Sequence, residues 1–212
     1  SGWLRRARQM QQAMVLTLDV REAGLRHLPW ELLHDGTKFL CADPFQWFTP
    51  LRRVTPPERK LDWQPQKRQL GVLFMASSPE GLQPVLDFEA EESGILQATA
   101  HKPLDLQVEE SGSLSGLAER LTERADSPDV IHFSGHADIG LCAPATPQAL
   151  ALTLRDANST PRVMFLSGCR TGESSQQTDM LSFSEQMVTA GVPVVLGWAL
   201  PVGDVAASQA SA

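Results

Sequence analysis

Two short segments, VIHFSGHAD at residues 130–138 and VMFLSGCRTG at residues 163–172, decide how this chain folds and what it can do. Each begins as an apolar run typical of a buried β-strand, stops at a small residue and then delivers one reactive side chain. The first delivers the imidazole of His136 and the second the thiol of Cys169. Because ligands and chemistry collect outside the carboxyl ends of parallel strands, two such residues on neighbouring strands would share one crevice. The pattern therefore predicts a cysteine–histidine catalytic pair.

The predicted pair supplies a nucleophile and a base. A cysteine thiol is mostly protonated at neutral pH, and a nearby imidazole can accept its proton or stabilise the thiolate. The backbone N–H groups of Cys169 and Ala137 are the natural donors for an oxyanion site. Taken singly, each side chain has an alternative explanation, because a cysteine or a histidine behind an apolar strand is more often a buried structural group.

Three further polar residues lie inside the two strand segments. Ser134 and Ser167 could support the site through hydrogen bonds, but small residues at strand ends are the preferred interpretation. His132 falls on the same side of an alternating strand as Ser134 and His136. A role in orienting the site and a role in buried packing are equally compatible with its position.

From Leu70 onward, strand and helix patterns alternate. Strands are predicted at residues 70–76, 104–108, 129–133, 162–166 and 192–198, and helices at residues 88–100, 113–124 and 183–190. This alternation predicts an α/β fold, a mostly parallel sheet with helices on both faces. Residues 141–158 are interpreted as a loop.

The first third of the chain predicts a smaller β/α subdomain. It contains a strand pattern at residues 14–20, a helix pattern over LPWELLHDG at residues 28–36, and short strand patterns at residues 39–42 and 45–48. Trp30 and Glu31 are interpreted as a packed indole and a hydrogen-bonded carboxylate at a helix start. A polar connector rich in proline and charge follows, which predicts a boundary between a subdomain at residues 1–66 and a core at residues 67–212.

Composition excludes several classes of function. The chain has 212 residues and a formal net charge of −7, so direct binding to nucleic acid is not expected. Its three cysteines, Cys41, Cys142 and Cys169, show neither CxxC spacing nor a paired histidine cluster. No metal site, cofactor or disulfide framework is therefore expected, and a reducing, cytoplasmic setting fits best. No apolar run approaches the roughly 20 residues that span a bilayer, so no membrane association is expected.

The motifs resemble those of a known family. HFSGH at residues 132–136 and LSGCRTG at residues 166–172 are similar to the paired motifs of the CHAT peptidases, which are caspase-like domains found with tetratricopeptide repeats. The segments at residues 28–36 and 195–204 extend the resemblance to nearly the whole chain. It implies a caspase-like three-layer α/β/α fold and an endopeptidase that acts through a dyad of His136 and Cys169.

The resemblance also implies a partner, a context and a specificity. It implies a protein substrate and control by tetratricopeptide repeats of the same polypeptide or by an activating partner, in bacterial defence or regulated proteolysis. Separase relatives place an acidic residue just past the strand that ends here at Trp198, and Asp204 resembles that residue. A carboxylate there would pair with arginine or lysine of a substrate. The alternative is that Asp204 caps a helix, and Asp138 and Glu80 are weaker candidates.

Three features depart from the family pattern. Ala137 stands where the family usually has glycine, and Cys169 follows His136 by only 33 positions (169 − 136). The chain ends at Ala212, where the family normally continues into a further helix, so a C-terminally truncated core is expected. The competing interpretation is a catalytically silent caspase-like scaffold or interaction module.

Overall fold

The computed structural model describes residues 2–10, 12–20, 22–26, 28–42, 48–54, 68–77, 87–135, 146–167 and 182–197. The chain divides into two compact units, Ser1–Arg59 and Lys60–Ala212. The predicted boundary between residues 66 and 67 lies outside the described residues.

The described part of the first unit is a small β/α subdomain. It contains helix α1 (Gly2–Gln9), strand β1 (Met14–Leu18), the single turn α2 (Ala23–Arg26) and strand β2 (Phe48–Arg52). The two strands pair in parallel, with Met14 opposite Phe48 and Leu18 opposite Arg52. The sequence predicted β1 but not β2, because Pro50 removes a backbone donor and weakens the pattern of a strand.

The segment at residues 28–36 does not form the predicted helix. Only Trp30–Leu32 is helical, as one 3₁₀ turn, and Leu33 is already extended at ψ 129°. Asp35 then turns the chain, because its Oδ1 accepts hydrogen bonds from the N–H groups of Thr37 and Lys38 and from the Thr37 hydroxyl. The predicted strand at residues 39–42 is also wrong, since Leu40–Ala42 is a second 3₁₀ turn. The other predicted strand, at residues 45–48, lies outside the described residues except for Phe48, which opens β2.

Trp30 and Glu31 both make contacts within the first unit, as the sequence predicted, but they lie in a 3₁₀ turn and not at the start of an α-helix. Trp30 Nε1 donates to the carbonyl of Leu25 at 2.9 Å. Glu31 pairs with Arg52 of β2, whose Nη2 lies 2.9 Å from Oε2. Burial would raise the pKa of Glu31, but the hydrogen bonds and charge of Arg52 outweigh it and lower that pKa below its ordinary value. The motif thus connects its 3₁₀ turn to α2 and β2.

Within the described residues, the second unit is built on a five-stranded parallel sheet. Its strands are β3 (Leu70–Ser77), β4 (Leu104–Glu109), β5 (Val130–Gly135), β6 (Val163–Ser167) and β7 (Val194–Gly197). They lie in the order β4-β3-β5-β6-β7. All five were predicted, and this order puts the two strands of the motif segments side by side.

Four helices of the second unit are described: α3 (Phe88–Ala98), α4 (Leu114–Glu123), α5 (Pro147–Asp156) and α6 (Phe183–Ala190). Each begins at a side chain that caps a backbone N–H, and the caps are Asp87, Ser113, Thr146 and Ser182. The predicted end of α6 at Gly191 is confirmed, because Gly191 adopts φ 123°, which glycine tolerates best.

Helix α5 corrects the interpretation of residues 141–158 as a loop. Thr146 caps the helix, Pro147 occupies its first turn, and Leu150 and Leu154 are buried in the core. Proline is well suited to a first helical turn, where its missing N–H has no intrahelical partner. The 33-position interval between His136 and Cys169 therefore contains a crossover helix, which leaves fewer residues for a loop.

The sheet has helices on both faces. One face packs its apolar side chains against helices α4, α5 and α6 in a single core, formed by Leu73, Met75, Leu117, Leu121, Ile131, Phe133, Leu150, Leu154, Met164, Leu166, Met187 and Val192. The alternate residues of β5 point to the other face, where His132 and Ser134 contact the Glu91 side chain of α3. This three-layer α/β/α arrangement confirms the predicted fold class.

Asp129 joins three strands at the amino-terminal end of the sheet. Its Oδ2 accepts a hydrogen bond from the Gly71 N–H of β3 at 3.0 Å, and its carboxylate pairs with Arg68 at 2.9 Å and Arg162 at 3.1 Å. Its backbone carbonyl also accepts from the N–H of Val163 in β6 at 3.0 Å.

Replacing Asp129 by alanine is expected to lower the free energy of unfolding by about 2–4 kcal/mol, because the buried Gly71 N–H loses its acceptor and the ion pairs with Arg68 and Arg162 are broken. Urea denaturation followed by circular dichroism measures this change. Asp126 is an exposed neighbour, and Asp126→Ala is expected to cost less than about 0.5 kcal/mol. Equal losses in the two variants would contradict the role given to Asp129.

Candidate active site

The described parts of the two motif segments form β5 and β6, two adjacent interior strands of the sheet. Strands β5 and β6 pair in parallel from Val130 opposite Val163 to Ser134 opposite Ser167. Ser134 precedes His136 by two residues, and Ser167 precedes Cys169 by two residues. The predicted site residues His136, Ala137, Cys169 and Asp204, and the weaker candidates Asp138 and Glu80, lie outside the described residues. The structure thus describes the strands that lead to the predicted pair.

A buried carboxylate lies beneath the carboxyl end of β5. Glu91 of α3 is 4% exposed, and one of its oxygens, Oε2, accepts a short hydrogen bond from the hydroxyl of Ser134. Its other oxygen, Oε1, lies 3.0 Å from Nε2 of His132. The Glu91 carboxylate therefore contacts both His132 and Ser134, which are successive residues on the side of β5 that faces α3.

His132 is also held by packing. Its ring lies edge-on to Phe74 of β3 at a centroid distance of 5.2 Å, and it is tilted against Phe165 of β6 at 4.7 Å. The register places these three residues in one row across the sheet. The packing role considered for His132 is thus observed, since its ring lies between two aromatic rings.

The two strand-end serines differ. Ser134 is more than a small residue at a strand end, because its hydroxyl bonds to Glu91. Ser167 is also buried, and its hydroxyl has no hydrogen-bond partner within the described part of the chain. Within the described residues, α3 is therefore linked to β5 by the hydrogen bond of Ser134, whereas the hydroxyl of Ser167 in β6 makes no such bond.

Comparison with known families shows which family this chain belongs to. A family model described as a CHAT domain matches residues 3–211. The chain belongs to the CHAT domain family. This family is of the caspase-like protease type, so the resemblance carried by the motifs is confirmed over nearly the whole chain. A search of curated proteins gave no match.

Glu91 is the residue of this CHAT domain that sequence reasoning missed. Its signal was present, because Phe88, Glu91 and Ile95 follow the spacing of one helix face and Ile95 is buried. A carboxylate on the apolar face of a helix needs a polar partner inside the protein. The partners, His132 and Ser134, lie about 40 positions further along the chain, too far for local spacing to indicate them.

The described residues of the CHAT domain give no sign of a metal centre or a membrane segment. They contain no group of three or more histidine, cysteine, aspartate or glutamate side chains that could hold a metal ion. None of the described helices is both long and apolar enough to cross a membrane.

Proposed function

We propose that this CHAT domain is a cysteine endopeptidase in which His136 and Cys169 form the catalytic dyad. The observation that carries the proposal is the pairing of Ser134 with Ser167 at the ends of β5 and β6. His136 and Cys169 each follow one member of this pair by two residues. The family match adds that the chain is of the caspase-like protease type.

Chain length supports this pairing. Two residues of extended chain span at most about 7 Å, so the backbones of His136 and Cys169 cannot lie far from the two strand ends. Neighbouring strands are about 4.8 Å apart. An imidazole and a thiol that begin from two adjacent strand ends can therefore come within reach of one another, as a nucleophile and its base must.

The proposed reaction proceeds in two halves. His136 takes the proton of the Cys169 thiol, and the thiolate attacks the carbonyl carbon of the scissile peptide bond. The backbone N–H groups of Cys169 and Ala137 stabilise the negative oxygen of the tetrahedral intermediate. His136 then gives its proton to the leaving amine, and a thioester remains on Cys169. A water molecule, deprotonated by His136, hydrolyses the thioester and restores the free thiol.

We further propose that Asp204 selects substrates with arginine or lysine at the cleavage position. A carboxylate in a partly desolvated pocket binds a guanidinium or an ammonium group more strongly than a neutral side chain. The resemblance to separase relatives supports this position, since Asp204 follows β7 by a few residues.

The biological setting is proposed from the same resemblance. The substrate would be a specific protein, and adjoining tetratricopeptide repeats or an activating partner would control cleavage in bacterial defence or regulated proteolysis. A cytoplasmic location agrees with the low cysteine content. The net charge of −7 argues against direct binding of nucleic acid by this segment.

A peptide-library cleavage assay tests the proposed function. The protein is incubated with a mixture of peptides from a digested proteome, and the new termini are identified by mass spectrometry. Cleavage after arginine or lysine is expected for the wild type, and no cleavage is expected for Cys169→Ala. The same cleavage pattern from both proteins would refute the proposal. No cleavage by either protein would favour a silent scaffold.

A further inference from the structure

We propose that Glu91 and Ser134 are positioning residues that hold the carboxyl end of β5 and thereby fix the placement of His136. This inference rests on the proposed function, because it assigns the two residues a task only if His136 acts as a base. It differs from that proposal in that it concerns described residues and a contact between α3 and β5.

The burial of this polar cluster costs free energy. Glu91, His132 and Ser134 are each 4% exposed, so all three have lost nearly all contact with solvent. A buried carboxylate is stabilised only when its oxygens are well partnered, and replacing a buried ion pair with apolar residues is often neutral or stabilising. Stability alone therefore gives little reason for a glutamate on the buried face of α3, between Phe88 and Ile95.

The contacts of Glu91, His132 and Ser134 instead hold the carboxyl end of β5 in place. The hydroxyl of Ser134 bonds to Glu91, and Glu91 lies in a helix whose start is capped by Asp87 and whose buried face includes Ile95. His132, two residues earlier in β5, is held between Phe74 and Phe165. Ser134 and His132 are the last two residues of β5 that face α3, and the side chains of both are thus held in place.

Precision at this strand end matters for catalysis. Misplacement of a catalytic group by about 1 Å can lower a rate by about 10²-fold, even when the altered residue does not touch the substrate. Ser134 precedes His136 by two residues, so a shift of the strand end would move the base directly. We therefore expect loss of the hydroxyl to affect proton transfer more than substrate binding.

The test compares Ser134→Ala with a control of similar burial. Ser159 is 3% exposed, its hydroxyl has no partner in the described part of the chain, and it lies at the opposite end of the sheet, before β6. Ser134→Ala is expected to lower kcat by about 10- to 100-fold with little change in KM, whereas Ser159→Ala is expected to retain activity. The substrate is a peptide that the wild type cleaves in the library assay.

A second measurement reports the placement of His136 without substrate. The rate of Cys169 alkylation by iodoacetamide is followed against pH, with the labelled peptide identified by mass spectrometry. Beside a well-placed imidazole the thiol titrates below the ordinary value of about 8.5, and we expect Ser134→Ala to raise the midpoint by about one unit. Ser134→Thr keeps the hydroxyl and is expected to restore the wild-type midpoint.

Glu91→Gln provides an independent variant of nearly unchanged shape. Its amide can accept from only one of the two groups that the carboxylate faces, so a loss of kcat smaller than that of Ser134→Ala is expected. Combining Glu91→Gln with Ser134→Ala is expected to cost no more than Ser134→Ala alone, because Ser134→Ala already removes the hydrogen bond through which residue 91 acts on β5.

The outcomes separate this inference from the proposed function. If Ser134→Ala behaves as Ser159→Ala does in both kcat and alkylation midpoint, the inference is overturned while the dyad remains. If His136→Ala leaves the alkylation midpoint of Cys169 unchanged, the proposed function fails and the inference fails with it. If circular dichroism shows that Ser134→Ala does not fold, Glu91→Gln provides the test instead. A kcat for Glu91→Gln equal to that of the wild type would then overturn the inference.

Discussion

Replacing Cys169 by alanine is expected to reduce peptide hydrolysis to the uncatalysed level, and replacing His136 by alanine is expected to lower kcat/KM by at least about 10³-fold. The alanine at position 169 removes the nucleophile itself. The alanine at position 136 removes the base that makes the thiol reactive and the acid that protonates the leaving amine. The measurement is the initial rate of hydrolysis of a fluorogenic peptide with arginine at the cleavage position.

The other cysteines provide matched controls for this prediction. Cys41 is largely exposed in the first unit. The limited burial of its thiol and the nearby charge of Glu31 both raise the pKa of that thiol. A thiol with a raised pKa holds little thiolate at neutral pH and is a poor nucleophile. Cys41→Ala and Cys142→Ala are therefore expected to keep full activity. If either variant lost as much activity as Cys169→Ala, the assignment of the nucleophile would be wrong.

The second large effect is expected from Asp204→Asn. Loss of the carboxylate is expected to lower kcat/KM for arginine and lysine substrates by about 10²-fold or more, because a charge-assisted pair in a desolvated pocket becomes a neutral contact. For a neutral side chain at the cleavage position, little change is expected. Parallel measurements on peptides that differ only at this position give the ratio directly.

Asparagine also separates the two roles considered for Asp204. Asparagine caps helices about as well as aspartate, so a purely capping role predicts that Asp204→Asn retains its preference for basic substrates. The variants Asp138→Asn and Glu80→Gln examine the two weaker candidates in the same assay. If either of them, rather than Asp204→Asn, loses the basic preference, the specificity pocket is assigned to that residue instead.

The parallel sheet was predictable from sequence because its signal is local and strong. Strands such as β3 are buried on both faces, so they are nearly continuous apolar runs, in contrast to the polar segments that separate them. Helix ends were also predictable where capping chemistry was visible, as at Ser113 for α4 and Gly191 for α6.

Other elements were missed for physical reasons. Helix α5 lies within the stretch interpreted as a loop, although Thr146 and Pro147 form a helix start and Leu150 and Leu154 follow helical spacing. The helix expected at residues 28–36 is replaced by a turn, since Asp35 bonds to the backbone after it in place of a helical hydrogen bond. In both cases a side chain near the element end decided the outcome.

The candidate site was predictable only in part. The spacing of small and apolar residues indicated that His136 and Cys169 follow strands, and the pairing of β5 with β6 agrees with adjacent strand ends. The contact of Ser134 with Glu91 joins residues 43 positions apart, and it depends on which helix covers which face of the sheet. The face that each helix covers follows from the strand order β4-β3-β5, because crossovers between parallel strands are right-handed. The sequence pattern does not reveal this order.

The central claim is that Cys169, activated by His136, is the nucleophile of a peptidase. It is tested most directly by labelling the protein with an irreversible thiol-reactive peptide probe that carries arginine at the cleavage position, followed by mass spectrometry of the modified peptide. We expect the probe to label Cys169 in the wild type and to label it far more slowly in His136→Ala. Absence of labelling at Cys169 by this probe and by an apolar counterpart, in protein whose circular dichroism shows the intact fold, would contradict the claim and identify the domain as a silent scaffold.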